Sequence, residues 1–156
     1  MFDIVLFEPE IPPNTGNIIR LTANTGVHLH LIHPLGFELD DKQLRRAGLD
    51  YSEYASIYEY DSYQDFLNSK NPPNIYGVST KGTRCYSEVN YQTGDTMLFG
   101  PETRGLPVQI LDSLGKDNIL RIPMQSNSRS LNLSNAVAVI LYEALRQNNF
   151  SFYTNP

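Results

Sequence analysis

Three short stretches of this chain carry residue types that could bind a polar ligand and stabilise charge developing on it. The first, Asn14-Thr15-Gly16-Asn17-Ile18-Ile19-Arg20, sets two amides and a guanidinium at the entrance of an apolar-periodic segment. The second, LFGPETRGLP from Leu98 to Pro107, follows an apolar strand with Gly100, a carboxylate at Glu102, then Arg104 and Gly105. The third, IPMQSNSRSLNLSNA from Ile122 to Ala136, is a polar loop opened by Pro123 that runs into a long apolar helix through the capping residues Asn132, Ser134 and Asn135. Glycine permits close backbone approach, and a helix entrance offers free N–H groups and the positive end of a dipole to polar ligand atoms. Taken singly, each stretch has a plainer explanation: Asn132 or Ser134 as a helix cap, Glu102 as a charge favoured at a helix N-terminus, Arg20 as half of a surface ion pair. Together they stand at three strand–loop–helix junctions, and the carboxyl end of an open α/β sheet is where ligands bind.

The elements that must hold them there alternate in type. Residues 2–7 read as a strand, followed by a loop braced by Pro9, Pro12 and Pro13, a helix over 14–25 ended by Gly26, and a strand over 27–32. A short helix over 40–47 is stopped by Gly48, a strand follows over 55–60, and a helix over 62–69 is capped by Ser62. Asn71-Pro72-Pro73-Asn74 breaks the chain before a strand over 75–80, and 81–95 is loop-rich. A strand over 96–99, a helix starting near Pro107, a strand over 118–122 and a helix over 133–147 complete the pattern. This alternation predicts one α/β domain spanning residues 1–156, an open parallel sheet with helices on both faces. Ala136 to Tyr142 is apolar on every side, which predicts that the last helix buries a second face against a partner subunit. Residues 150–156 have no periodicity and are expected to form a loose tail.

Composition narrows the functional class. Twelve basic against 17 acidic residues give a net charge of −5, which argues against indiscriminate binding to nucleic acid. Arg20, Lys81, Arg84, Arg104 and Arg129 nevertheless fall in or beside the three stretches, while Asp40, Asp41, Asp50, Glu53, Glu59, Asp61 and Asp65 crowd the middle third, predicting a basic mouth on an acidic body. No apolar run reaches membrane-spanning length and no basic, apolar leader is visible, so a cytoplasmic protein is expected. Cys85 is the sole cysteine and is read as incidental. His28 and His30 share one strand face, but no carboxylate or cysteine near them in the sequence supports a metal pair; with His33 they are read as non-catalytic, and no metal is expected. Absence of G-x-G-x-x-G after the first strand, of a Walker loop, of H-E-x-x-H and of G-x-S-x-G removes the usual support for dinucleotide, nucleoside-triphosphate, zinc-protease and serine-hydrolase chemistry.

N-x-G-N-x-x-R at Asn14 to Arg20, F-G-P-E-x-x-G-L at Phe99 to Leu106, and I-P-M followed by S-L-N-L-S-N-A at Ser130 to Ala136 resemble, in order and over nearly the whole chain, the three motifs of the SPOUT superfamily of RNA ribose 2′-O-methyltransferases. The short length, with no added RNA-binding domain, is most similar to the subgroup acting on cytidine or uridine 34 of tRNA. The resemblance implies a C-terminal trefoil knot and methyl transfer from S-adenosyl-L-methionine to the wobble ribose of tRNA, while the all-round apolar run at Ala136 to Tyr142 and the lack of a separate RNA-binding domain predict a homodimer with the 133–147 and 14–25 helices near its interface. Its implied cofactor walls are Val78, Ser79 and Thr80; Gly100, Glu102 and Gly105; and Ile122, Met124, Ser130, Leu131 and Asn132. Within them Val78, Ile122, Met124 and Leu131 would sandwich the adenine, and Gly100 would let the chain approach the cofactor. Arg20 matches the family's catalytic arginine, Asn14 would fix Arg20 or its loop, and Glu102 would orient Arg20 or the substrate. A guanidinium is effectively never deprotonated in a protein, so stabilising the alkoxide and clamping a phosphate is a cheaper role for Arg20 than general base. A ribosomal RNA target, and a non-catalytic flavodoxin-like nucleotide-binding module, remain the alternatives; against the module, the loop after the first strand, EPEIPPN, is proline-rich and acidic.

Overall fold

A computed structural model describes residues 1–154 of the chain. Seven strands, β1 (Asp3–Phe7), β2 (His28–Ile32), β3 (Ile57–Tyr60), β4 (Ile75–Val78), β5 (Arg84–Cys85), β6 (Thr96–Phe99) and β7 (Ile119–Arg121), form one sheet in the order β3-β2-β1-β6-β4-β7-β5. Every pairing is parallel. Strands buried on both faces read as continuous apolar runs, as in Ile4-Val5-Leu6 of β1 and Met97-Leu98-Phe99 of β6. One face carries α1 (Pro12–Thr25) and α6 (Leu133–Gln147), whose Ile18, Ile19, Ile140 and Leu141 pack on Ile4, Leu6 and Met97. The other carries α4 (Tyr63–Lys70) and α5 (Val108–Leu114), whose Phe66, Ile110 and Leu111 meet Val5 and Leu98. The open parallel sheet with helices on both faces is therefore the fold. No helix among the described residues is long and apolar enough to cross a membrane.

Several boundaries differ from the sequence expectation for physical reasons. Helix α1 begins at Pro12 rather than 14, because a proline in the first turn lacks only an N–H that would be unpaired anyway. Helix α2 (Asp41–Arg46) is capped by Asp40, which accepts from Gln43 N–H at 2.7 Å. A further short helix, α3 (Tyr51–Tyr54), lies in what reads as loop, closed by a reciprocal capping box between Asp50 and Glu53. Along α6, Val137, Ile140 and Leu141 are buried in the chain's own core, whereas Val139 and Tyr142 point outward, 38% and 43% exposed. The helix thus buries one face and leaves an apolar face free. Past α6, Phe150 N–H donates to Leu145 O and Tyr153 N–H to Phe150 O, both at 2.8 Å, so the expected tail holds turn hydrogen bonds to Tyr153. Residues 155 and 156 lie outside the described residues.

The histidine reading requires a correction. Strand register sets Asp3 opposite His28, and its Oδ1 lies 2.7 Å from His30 Nε2 and 3.3 Å from His28 Nδ1. A carboxylate is therefore present, supplied from a neighbouring strand and invisible to local sequence reading. Lys70 Nζ stands 3.4 Å from the same oxygen and supplies a countercharge. Burial pushes the Asp3 carboxyl up, but the His30 hydrogen bond and the charges of His30, Lys70 and His28 outweigh it and hold the group below the usual carboxylate range.

Candidate active site

The carboxyl ends of β4, β6 and β7, adjacent in the sheet, open onto a cavity of about 400 Å³. Val78, Ser79 and Thr80 line it from the end of β4, and Gly100, Glu102 and Gly105 from the loop after β6. Ile122, Met124, Ser130, Leu131 and Asn132 complete it from the segment between β7 and α6. Every residue expected to wall the cofactor is thus brought to one hollow. Lys81, expected at the basic mouth, also lines it, as do Ile11 and Arg121, which were not among the expected residues. Arg121 was within reach of sequence reasoning, since it immediately precedes Ile122 at a strand end.

The reason for glycine at 100 differs from the expectation. A Cβ there would stand 2.4 Å from both Gly105 C and Leu106 N, so a side chain meets the loop's own backbone before it meets any ligand. The loop turns back at Gly105, with φ of +69° and its N–H donating to Pro101 O at 2.9 Å.

The polar residues of the site tie the three motifs together. Ile11 precedes α1 in the N-cap position and has no side chain to cap it. Glu102 instead ties down the chain entering the helix, its carboxylate accepting from Glu10 N–H at 2.7 Å and Ile11 N–H at 3.3 Å. In return Glu10 accepts from Thr103 Oγ1 at 2.7 Å and Thr103 N–H at 3.0 Å, which keeps its carboxyl below the usual range. Buried Asn14 accepts from Asn132 Nδ2 at 2.8 Å, while Asn132 Oδ1 caps α6 through Ser134 N–H and Asn135 N–H. Asn14 and Glu102 therefore hold the loops, not Arg20. Glu102→Ala is expected to cost about 1–3 kcal/mol in denaturant unfolding, the range for leaving hydrogen-bond donors without their partner, and to weaken cofactor binding because two walls come loose. Unchanged stability and affinity would show that the link is idle.

Arg20 is placed apart. It is exposed, donates from Nε to Glu53 Oε1 at 3.0 Å and from Nη2 to Gly48 O, and lines a second cleft on the other flank of α1. The hydrogen bonds from Asp50 N–H and Arg20 hold the Glu53 carboxyl below its usual range. An exposed pair of this kind contributes about 0–1 kcal/mol, so an incoming phosphate can displace Glu53 at little cost. Of the other cations expected at the mouth, Arg104 lies 3.9 Å from Glu8 and 3.8 Å from Glu10, and Arg84 is used internally on the Asp117 and Glu88 carbonyls.

A family model described as SpoU rRNA Methylase family matches residues 1–142. A protein of Saccharophagus degradans named tRNA (cytidine(34)-2′-O)-methyltransferase is 60% identical over 151 residues, covering 97% of this chain and 98% of that one. A solved structure described as giving insights into the 2-OH methylation of C/U34 on tRNA superposes with a TM-score of 0.85 at 43% identity, covering 96% of this chain and 97% of the other. The SpoU methyltransferase AviRb from Streptomyces viridochromogenes, solved in complex with the cofactor AdoMet, gives a TM-score of 0.78 at 26% identity over 94% of this chain and 57% of its own.

Proposed function

The chain belongs to the SpoU rRNA methylase family, and from that premise we propose that it transfers a methyl group from S-adenosylmethionine to the ribose 2′-hydroxyl of nucleotide 34, a cytidine or uridine, in tRNA. The observation that carries the reading is the convergence of all three motif segments on one cavity at the sheet's carboxyl end, in a chain that matches its tRNA-modifying relative over nearly full length. The cavity suits the cofactor chemically. Val78, Ile122, Met124 and Leu131 offer apolar contact for an adenine, backbone N–H and C=O groups from three loops can read its edge, and about 400 Å³ falls within the range of small-molecule sites. When bound, the cofactor supplies an electrophilic methyl on a sulfonium centre. The chain's part is to align the ribose oxygen behind that methyl and to stabilise the negative charge that grows as the hydroxyl proton leaves. We assign the second task to Arg20 as a permanent cation, with Asn14 and Glu102 positioning the loops around the cavity.

The same reading includes a trefoil crossing of the chain behind the cavity, supported by the likeness to SpoU structures, work in the cytoplasm where the substrate resides, and a homodimer. The outward face of α6 at Val139 and Tyr142 supports the dimer, as do the exposed Ile11 and Leu131 at the cavity mouth. Wild type is expected to sediment as a dimer at micromolar concentration, and Val139→Asp with Tyr142→Asp as a folded monomer of much reduced activity, because a charge in an apolar interface is left without a partner. A fully active wild-type monomer would exclude this assembly. Incubation with methyl-labelled cofactor and either total tRNA or ribosomal RNA tests the substrate: label confined to tRNA is expected, and label confined to ribosomal RNA would overturn the assignment.

A further inference from the structure

Helix α2 and the cleft beside it take no part in the chemistry above, yet they have the make-up of a strand-binding surface. The cleft measures about 630 Å³ and lies across α1 from the cofactor cavity. The two hollows share the first turn of that helix: Ile11 and Asn14 line the cofactor side, Pro12, Pro13 and Thr15 the other. One helix width, roughly 10 Å, therefore separates them. Arg20 lines the second cleft, with Leu39 and Leu49 giving it an apolar floor and the half-buried ring of Phe37 on its wall.

Across the cleft stands α2, whose Gln43 and Arg46 line it and whose Lys42 and Arg45 are exposed beside them. None of these three cations has an ion pair among the described residues. Of the nearby carboxylates, Asp40 is engaged as the α2 cap and Glu53 by Arg20, while Glu38 is on the lining and Asp41 is the exposed first residue of α2. On a chain of net charge −5, a six-residue helix with three unpaired cations against one carboxylate, Asp41, is a local reversal of sign. An acidic protein that must hold a polyanion needs such a reversal, because phosphate contacts supply much of the affinity.

We propose that this cleft and α2 hold the RNA strand adjoining the methylated nucleotide, with Lys42, Arg45 and Arg46 on its phosphates and Phe37 against a neighbouring base. The assignment rests on the RNA-methylating reading above and deepens it. Phosphate contacts fix position and register, and an aromatic face accepts any base, so the surface orients the strand while the cavity selects the ribose. Arg20 lines the cleft itself and is released from Glu53 as the strand arrives.

The test is tRNA binding over a salt series for wild type and the combined Lys42→Ala, Arg45→Ala, Arg46→Ala variant, with tRNA KM and kcat measured alongside. In the variant, tRNA KM is expected to rise about tenfold or more, and the slope of log affinity against log salt to become shallower by roughly 2. The kcat at saturating tRNA, the affinity for S-adenosylhomocysteine and the thermal midpoint should change little. Arg45→Lys with Arg46→Lys should keep most of the binding, since phosphate is satisfied by a point charge. Unchanged affinity and slope in the triple variant would overturn the proposal, as would a change in sedimentation in place of tRNA affinity, which would make the cleft a contact between copies. Wild type that binds tRNA through α2 but leaves nucleotide 34 unmethylated would remove the assigned reaction and leave this surface standing; wild type that binds no tRNA would remove both.

Discussion

Arg20→Ala is expected to slow methyl transfer roughly 100-fold or more in single-turnover assays on a tRNA transcript, the range for loss of one transition-state donor. Cofactor affinity should hardly move. The structure sharpens this second half, because Arg20 lines the cleft across α1 and is not among the residues around the cofactor cavity. Arg20→Lys should retain part of the rate: the charge survives, while the planar fork that can engage alkoxide and phosphate together is lost. Glu53→Gln, which removes the ground-state partner of Arg20 at 3.0 Å, should not slow the step if that pair must open first. Methylation at the parental rate by Arg20→Ala would remove its catalytic role, and loss of cofactor binding would place it in the pocket or in a contact that shapes it.

Gly100→Ala is expected to be nearly as severe, by a different route. The new Cβ would need space 2.4 Å from the backbone at Gly105 and Leu106, so the 100–106 loop must shift. Overpacking of this kind costs about 1–3 kcal/mol, and misplacement of a site by about 1 Å costs on the order of 100-fold. Cofactor affinity and thermal stability should therefore fall together, in Gly100→Ala and more so in Gly100→Leu. A folded variant of parental stability that binds no cofactor would instead mean that the side chain clashes with the ligand alone. Calorimetric titration beside a melting curve separates the two cases.

The walls of the cavity were legible in the sequence because Gly, Pro and Asn mark strand ends and helix starts by local rules. Strand β6 and helix α6 begin and end where composition places them, at Thr96–Phe99 and Leu133–Gln147. What local rules could not supply was pairing across distance. Asp3 with His30, Asn14 with Asn132, and Glu102 with the α1 entrance join residues 27, 118 and 92 positions apart. Strand β5 was missed because two residues carry no period. Helix α3 is four residues long, too short for a period, although its Asp50–Glu53 capping box was there to be read. The separation of Asn14 from Arg20 was also readable in principle. Six steps along an α-helix bring a side chain round to about 120° from where it began, so the two cannot share one face.

The central claim, methylation of one ribose oxygen, is tested most directly with two otherwise identical tRNA transcripts, one carrying a ribose and the other a 2′-deoxyribose at nucleotide 34. Incubated with this protein and methyl-labelled S-adenosylmethionine, the ribose transcript should take up label at nucleotide 34 and the deoxy transcript none. Equal labelling of the two, or label mapping to another nucleotide in both, would contradict the account.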